Sequence, residues 1–389
     1  MKIGILTFHS SINYGAYLQS YSFQQYMKNR YKDICIQIIN YTTKRSHNRY
    51  LDRILVGNVY RRDMYIRQYN AFIDDWNQLD LPKNILISDS ISEFEEFVSN
   101  EYDIIIVGSD ELWRTDGMRG FPNAYWLNMD MKETTVTSFA VSGRSSYGNL
   151  KDSEKKYIKE ALEKYDYIGV RDEITRYELE KCGINREIYL NPDPTLLYKD
   201  YFRTILTNHK QIRRKYGLDD EELVLSLMVS SYEMAETCNA IFSKKYKVCN
   251  LYEPRILDGV LDLSYLGPFE WCELLATSDF IITDYYHGTL FSLIYKKRFI
   301  AIEKAVDGNG KIEDFLKRNR LDKNLIYKKM YQSSGDLVKE IKKRLSICDD
   351  NNYEQVFDSV IENEVKNSNT FLTKLDNIII QSNKEGNHS

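Results

Sequence analysis

Residues 2–27 read KIGILTFHSSINYGAYLQSYSFQQYM, a short apolar run, a polar loop, and a longer stretch with apolar residues at helical spacing. The run Lys2–Phe8 predicts a buried β-strand, and Tyr17–Lys28 predicts an amphipathic helix. A strand that leads through a loop into a helix is the first half of a βαβ unit, in which the next strand pairs in parallel. This opening therefore predicts an α/β fold.

The same alternation continues in two series. The first adds apolar runs at Ile34–Asn40, Asp103–Val107, Thr135–Ala140, Tyr167–Val170 and Glu187–Leu190, and the second has runs at Leu223–Val229, Tyr246–Leu251, Phe280–Thr283 and Arg298–Ile302. Between them lies a polar, basic stretch. We predict two Rossmann-like domains, residues 1–195 and 196–335, and a helical segment, residues 336–389. Tandem domains of this kind place the carboxyl ends of their strands around a shared cleft, where open α/β sheets bind ligands.

The composition is that of a globular chain with nearly balanced charge. Hydrophobic residues make up 43% of the 389 residues, charged residues 28%, and the formal net charge is −4. This balance excludes a globally basic nucleic-acid binder. The first residues do not form a signal peptide, and no run of apolar residues is long enough to span a membrane. We therefore expect a cytoplasmic protein.

Motifs for several common chemistries are missing from the sequence. The six cysteines lack CxxC spacing and no HExxH occurs, so we predict reduced thiols and no metal site. No GxGxxG follows the first strand, and there is no GxxxxGK[ST], GxSxG elbow or strict DxD. Dinucleotide, P-loop and metal-dependent sugar-nucleotide chemistries therefore lose support.

The loop after the first strand, Phe8–Ala16, is a candidate anion site. Gly15 allows a tight turn there, and the helix that follows offers backbone N–H groups. Asn13 and Gly15 are therefore candidate anion-binding residues, and Tyr14 is a candidate cleft or acceptor contact. The alternative is an ordinary βα loop in which Asn13 caps the helix.

Three later strand ends of the first series also carry polar residues. Ser109 and Asp110 follow the run that ends at Val107, and Ser142 follows another strand, so all three are candidate substrate contacts or helix caps. Arg171 comes directly after the run Tyr167–Val170. Its guanidinium could hold a phosphate or carboxylate in a bidentate manner, or it could pair with acidic neighbours.

The second series contains Asp284-Tyr285-Tyr286-His287-Gly288-Thr289, between a strand and a helix. His287 is placed for proton transfer near neutral pH, whereas His9 and His209 are interpreted as structural. The backbone amides of Gly288 and Thr289 could bind an anion.

These stretches resemble the polysaccharide pyruvyl transferase family. The matching pieces span roughly residues 2–325 and include the opening stretch, VGSDELWR, YIGVRDE, NPDPTLL and the run around DYYHGTLFS. The resemblance implies a metal-independent glycosyltransferase B-like architecture with two Rossmann-like domains. It also implies transfer of pyruvate from phosphoenolpyruvate to a sugar, as a cyclic ketal. By position, His287 is similar to the family's catalytic histidine and Arg171 to a donor-binding arginine.

The resemblance also sets the expected partners. Phosphoenolpyruvate would be the donor, with no cofactor, and the acceptor would be an oligosaccharide or lipid-linked oligosaccharide of an exopolysaccharide or capsule. Some members carry Arg where this chain has Tyr285, so another cation is expected to anchor the donor, and Tyr285 becomes an acceptor candidate. The alternatives are a nucleotide-sugar glycosyltransferase of the same architecture and a non-catalytic glycan-binding protein.

A basic, apolar stretch at Thr42–Tyr69 stands out in this acidic chain. The stretch contains seven Lys and Arg residues and two acidic residues, with apolar residues interleaved. One interpretation is a solvated helix pair whose apolar side packs on the first domain. The other is a surface that contacts anionic lipid, or the diphosphate of a lipid-linked acceptor, at the inner face of the membrane.

Overall fold

The computed structural model describes residues 1–205, 208–305, 310–347 and 353–386. The chain forms two compact units. Unit 1 takes in residues 1–52, 76–198 and the chain from 363 onward, and unit 2 takes in residues 53–75 and 199–362. Cys348 lies outside the described residues; the other five cysteines are free thiols.

Unit 1 is built on a parallel sheet of six strands in the order β2-β1-β5-β6-β7-β8, with β3 and β4 forming a separate parallel pair. Its strands are β1 (Lys2–Leu6), β2 (Cys35–Ile38), β3 (Tyr41–Thr42), β4 (Leu86–Ile87), β5 (Ile104–Val107), β6 (Thr135–Val141), β7 (Tyr167–Val170) and β8 (Ile188–Leu190). All four residues of β5 are buried, as expected for a strand covered on both faces.

Unit 2 repeats this plan with a parallel sheet in the order β11-β10-β9-β12-β13-β14. Its strands are β9 (Val224–Met228), β10 (Lys247–Asn250), β11 (Leu261–Asp262), β12 (Phe280–Thr283), β13 (Arg298–Ile302) and β14 (Leu325–Ile326). Strands β9, β12 and β13 are neighbours, so the loops after them leave the same edge of the sheet. In parallel α/β sheets that edge is where ligands bind.

Helices connect the strands and cover the sheets. They are α1 (Tyr14–Arg30), α2 (Lys44–Leu55), α3 (Val59–Trp76), α4 (Ile91–Val98), α5 (Asp152–Glu163), α6 (Glu173–Lys181), α7 (Pro194–Leu197), α8 (Lys199–Ile205), α9 (His209–Lys215), α10 (Tyr232–Phe242), α11 (Pro268–Thr277), α12 (Tyr286–Ile294), α13 (Lys311–Arg318), α14 (Ser334–Ile347), α15 (Tyr353–Asn367) and α16 (Asn369–Gly386). No described helix is both long and apolar enough to cross a bilayer.

The prediction of two Rossmann-like domains is confirmed, but the units differ from the predicted boundaries of 1–195, 196–335 and 336–389. Helix α3 packs on unit 2, where the Arg67 guanidinium lies 3.8 Å from the Tyr265 ring centroid and Tyr65 donates a 2.6 Å hydrogen bond to Glu253. The interpretation that the whole basic stretch packs on the first domain is therefore wrong for α3.

The end of the chain also departs from the predicted separate segment. Residues from 363 onward belong to unit 1, where the Phe371 ring lies 5.4 Å from that of Phe139 on β6. Residues 353–362 belong to unit 2, where Asp358 pairs with Arg203 at 2.8 Å. The physical reason in both places is long-range side-chain packing, which local sequence patterns do not encode.

Candidate functional site

The turn between β12 and α12 holds the predicted catalytic histidine. The Tyr285 amide donates a 2.9 Å hydrogen bond to Thr283 Oγ1, which shapes the exit from β12. Helix α12 then starts at Tyr286, close against the strand ends. A Cβ on Gly288 would lie 2.4 Å from Thr283 Oγ1 and 2.9 Å from Met228 Cε. Glycine at this position therefore lets the helix N-terminus approach the sheet edge.

His287 lies in the first turn of α12 and is 2% exposed. Its ring centroid is 5.4 Å from that of Tyr286 and 5.7 Å from that of Tyr285. The Tyr285 ring packs in turn against Tyr252 at 5.1 Å. The structure thus brings Tyr285, His287, Gly288 and Thr289 together, with Tyr285 in an aromatic cluster. The Thr289 backbone amide already donates to the Tyr285 carbonyl at 3.1 Å. We therefore expect an anion to bind to the earlier backbone amides of the turn and not to that of Thr289.

A charged pair that the sequence analysis missed lies beside this turn. Asp284 is buried, and its Oδ2 accepts hydrogen bonds from Ser230 N at 2.8 Å and Ser230 Oγ at 2.7 Å. Lys304 Nζ lies 3.3 Å from Asp284 Oδ1, and the lysine side chain is 50% exposed. The position of Lys304, two residues after the run Arg298–Ile302, was the signal that could have identified it.

A cavity of about 220 Å³ adjoins this pair in unit 2. Its polar lining includes Ser230, Ser231, Glu233, Lys304, Lys328, Tyr331 and Ser334, and the Glu233 carboxylate accepts a 2.6 Å hydrogen bond from Ser334 Oγ. Ser231 caps α10 and α14 begins at Ser334, so the N-termini of two helices border the cavity. Helix N-termini and lysines both favour negative charge. The lining residues come from three separate parts of unit 2, residues 230–237, residue 304 and residues 328–337, which the sequence does not reveal.

Lys311 is a second cation close to the histidine. It is the first residue of α13, and its Nζ lies 5.4 Å from the centroid of the Tyr286 ring that flanks His287. Lys304 beside Asp284 and Lys311 beside Tyr286 are therefore candidates for the cation that is expected to anchor the donor.

Unit 1 holds a different charged cluster around Arg171. This side chain is 1% exposed; its Nη1 lies 3.1 Å from Asp193 Oδ2 and its Nη2 lies 3.2 Å from Asp110 Oδ1. The sequence analysis expected either a bound anion or pairing with the adjacent acidic residues. In the structure, Arg171 after β7 instead pairs with Asp110 after β5 and Asp193 after β8. Two carboxylates therefore already pair with the guanidinium.

The other predicted site residues of unit 1 are engaged in local structure. Asn13 caps α1, because its Oδ1 accepts a 3.0 Å hydrogen bond from Ala16 N. The backbone N–H of Asn13 donates to the Ser11 carbonyl oxygen at 2.8 Å. Gly15 and Tyr14 lie in the first turn of α1 and are buried, so the expected tight turn at Gly15 is wrong. Ser109 and Ser142 are both fully buried.

His9, interpreted as structural, is also buried. Its Nε2 lies 3.1 Å from Asn40 Oδ1, and its Nδ1 lies 3.4 Å from the Thr7 carbonyl oxygen. Burial lowers the pKa of His9, with the Asn40 contact acting in the opposite direction. These contacts hold the loop after β1 in place.

Comparison with known proteins identifies the family. The family model of polysaccharide pyruvyl transferases matches residues 13–303. The chain belongs to the polysaccharide pyruvyl transferase family. The matched residues include the His287 turn and the Arg171 cluster. No curated protein matches the sequence.

Solved structures show the same architecture as this pyruvyl transferase family member. UDP-GlcNAc 2-epimerase from Neisseria meningitidis, bound to UDP-GlcNAc, has a TM-score of 0.56 at 10% identity and covers 96% of this chain and 99% of its own. The Methanocaldococcus jannaschii epimerase has a TM-score of 0.53 at 14% identity, covering 89% and 93%. Wall teichoic acid polymerase TagF has a TM-score of 0.55 at 14% identity, covering 99% and 90%. These likenesses show a glycosyltransferase B-like fold.

Proposed function

We propose that the protein transfers pyruvate from phosphoenolpyruvate to a sugar of a bacterial polysaccharide or of its lipid-linked precursor, and forms a cyclic ketal. Family membership supports transfer of pyruvate to a polysaccharide. The observation that carries the proposal is the turn after β12, where His287 lies in the first turn of α12, Lys304 pairs with Asp284 and Lys311 lies over the Tyr286 ring.

The proposed donor demands positive charge, because phosphoenolpyruvate carries both a phosphate and a carboxylate. The first turn of α12 offers oriented backbone N–H groups to one of these anions. Lys304 and Lys311 offer ammonium groups from the two elements beside it, and Lys328 adds a third at the cavity. We propose that unit 2 binds the donor through these groups, in place of the arginine that some family members carry at position 285.

Ketal formation needs a proton at the donor and a base at the acceptor. A proton adds to C3 of the enol, which leaves an oxocarbenium-like C2. One sugar hydroxyl adds to C2 and loses its proton. The C2–O bond to phosphate then breaks, and a second hydroxyl adds to C2 to close the ring, its proton ending on the departing phosphate. His287 is the proposed proton carrier. Inorganic phosphate and a cyclic ketal are the products, and these chemical steps require no metal or cofactor.

Arg171 has a different expected role from the one implied by the family resemblance. Its guanidinium already faces Asp110 and Asp193. A donor anion would have to compete with two carboxylates for it. We therefore propose that Arg171 acts through the three-residue cluster, by fixing the strand ends of unit 1, with Asn13, Tyr14, Ser109 and Ser142 holding the neighbouring loops.

A nucleotide-sugar glycosyltransferase is the second candidate, because the Neisseria meningitidis epimerase of the same fold is described with UDP-GlcNAc bound. A glycan-binding protein without turnover is the third. Thermal-shift titrations with phosphoenolpyruvate and with UDP-GlcNAc separate them. We expect stabilisation by phosphoenolpyruvate that is lost in a Lys304→Met variant. Stabilisation by UDP-GlcNAc alone would favour the glycosyltransferase, and stabilisation by oligosaccharides alone would favour glycan binding.

A further inference from the structure

The turn between α2 and α3 exposes an unusual amount of apolar surface. Leu55, Val56 and Val59 are 70%, 65% and 75% exposed. Together with Ile256 they are the four most exposed large hydrophobic side chains among the described residues. We call Leu55, Val56 and Val59 the apolar tip. Contiguous exposed apolar residues of this kind mark interaction surfaces more often than single ones do.

The apolar tip is held by ordered backbone structure. Gly57 has a φ of +111°, which a glycine adopts without strain, and Asn58 Oδ1 accepts a 2.9 Å hydrogen bond from Arg61 N. Arg62 N also donates to the Asn58 carbonyl at 3.1 Å. The turn that carries the three apolar side chains therefore leads into a capped start of α3.

Helix α3 fixes the tip on unit 2. Tyr60 donates a 2.6 Å hydrogen bond to Asp262, and Tyr65 donates one of 2.6 Å to Glu253. Arg61 also pairs with Glu253 at 2.9 Å. These contacts use the polar side chains on one side of the helix, and they leave the apolar tip without a role in the core of the unit.

Exposed basic residues lie along both helices that lead to the tip. Lys44, Arg45 and Arg49 on α2 and Arg62 on α3 are exposed. Across residues 42–69 the sequence has seven basic and two acidic residues, although the whole chain has a net charge of −4. Asp52 and Asp63 are exposed as well and Arg45 pairs with Asp89, so the excess of positive charge rests on Lys44, Arg49 and Arg62. Exposed apolar and basic side chains together complement a surface that has negative charge outside and hydrocarbon beneath.

We propose that the apolar tip docks on an anionic phospholipid bilayer. Apolar side chains enter the boundary between headgroups and acyl chains, while each nearby Lys or Arg contributes about 1 kcal/mol of attraction. A second copy of this chain is a poorer occupant, because a stable protein interface buries about 800 Å² on each partner and three aliphatic side chains supply far less. The inference does not depend on the proposed reaction.

Co-sedimentation of the full chain with vesicles tests this inference. We expect binding to vesicles in which about one third of the lipid is phosphatidylglycerol, and little binding to vesicles of pure phosphatidylcholine. Binding should weaken as salt shortens the Debye length toward about 8 Å. Leu55→Ser/Val56→Ser/Val59→Ser should lower the bound fraction by at least about fivefold. Arg49→Glu/Arg62→Glu should lower it similarly at low salt. Both variants should keep the wild-type melting temperature, because the altered side chains are exposed.

Matched controls place the same changes elsewhere. Tyr177→Ser and Ile380→Ser remove exposed side chains from α6 and α16, and Lys342→Glu/Lys343→Glu reverses charge on α14; all should bind vesicles as the wild type does. The inference is overturned if wild type ignores anionic vesicles at low salt, or if the triple serine variant binds them equally well. Self-association that the triple variant abolishes, without vesicle binding, would assign the tip to a second copy of the chain.

Discussion

Lys304 forms an ion pair with Asp284, its Nζ lying 3.3 Å from the carboxylate Oδ1. The pair joins the ends of the neighbouring strands β12 and β13. Asp284 is also fixed by two hydrogen bonds from Ser230, whereas the lysine side chain is half exposed. The lysine is therefore the more exposed partner, and we expect it to turn toward an incoming anion. Asp284, to which it is paired, lies three residues before His287.

Replacement of Lys304 by methionine should weaken donor binding. We expect the donor KM to rise roughly ten- to a hundredfold, because a charge-assisted hydrogen bond contributes about 1.5–3 kcal/mol. Steady-state kinetics at saturating acceptor measures this. Lys339→Met is the matched control, since Lys339 is 81% exposed on α14. Equal KM values for the two variants would remove Lys304 from the donor site.

His287→Gln should abolish most turnover and keep the fold. Because the histidine is buried in the first turn of α12, glutamine is a better replacement than alanine for the packing against Tyr285 and Tyr286. Loss of a general acid or base costs about 10²–10⁴ in rate. We expect that loss in kcat with an unchanged donor Kd. A kcat close to that of wild type would exclude His287 from the proton transfer.

Arg171→Met should mainly destabilise unit 1. It leaves Asp110 and Asp193 without their cation, and removal of one partner of a buried ion pair costs about 3–5 kcal/mol. Arg171→Lys should cost less, although one ammonium group cannot replace the planar fork. Urea denaturation measures both. Arg176→Met is the control, because Arg176 pairs with Glu173 at the surface and should matter by less than about 1 kcal/mol. Unchanged stability with a raised donor KM would instead make Arg171 a direct donor ligand.

Asp75 should make stability depend on pH. Burial raises the pKa of Asp75 to about 6, with Glu270 and Asp74 adding to the rise. Its pKa in the unfolded chain is about 3.9, so its stabilising contribution is complete at low pH and is lost as the pH rises through 6. Asp75→Asn still accepts the Phe269 amide hydrogen bond. We expect its melting temperature to exceed that of wild type by about 2–4 °C at pH 7.5.

The gap between Asp75→Asn and wild type should close as the pH falls toward 4. Asp74→Asn removes an exposed carboxylate from the same helix and serves as the control, with a smaller dependence on pH. A melting-temperature difference for Asp75→Asn that stays constant from pH 4.5 to pH 8 would contradict the raised pKa.

Apolar runs predicted individual strands well. The runs Tyr167–Val170, Phe280–Thr283 and Arg298–Ile302 coincide with β7, β12 and β13. A short buried strand has a local signature, and so does a polar loop that follows it. This is why the turn around His287 could be found, and why Asn13 could be interpreted as a helix cap.

Long-range pairings had no such signature. Asp193 lies 22 residues beyond Arg171, and nothing local distinguishes it from Asp172 or Glu173 as the partner. Helix α3 packs on loops that lie 188 and 202 residues further along the chain, as the pairs Tyr65–Glu253 and Tyr60–Asp262 show. The cavity likewise combines loops from distant parts of unit 2. Such contacts depend on which loops the sheet order brings to one edge.

The most direct test of pyruvyl transfer follows the carbon and the phosphate of the donor together. Wild-type protein is incubated with ¹³C-labelled phosphoenolpyruvate and a panel of oligosaccharide and lipid-linked acceptors, and products are followed by NMR. We predict one phosphate released for each labelled ketal formed on an acceptor, and neither product with His287→Gln. Two results would contradict the account. One is release of phosphate together with free pyruvate, with no label on any acceptor. The other is transfer of a sugar from UDP-GlcNAc in place of pyruvyl transfer.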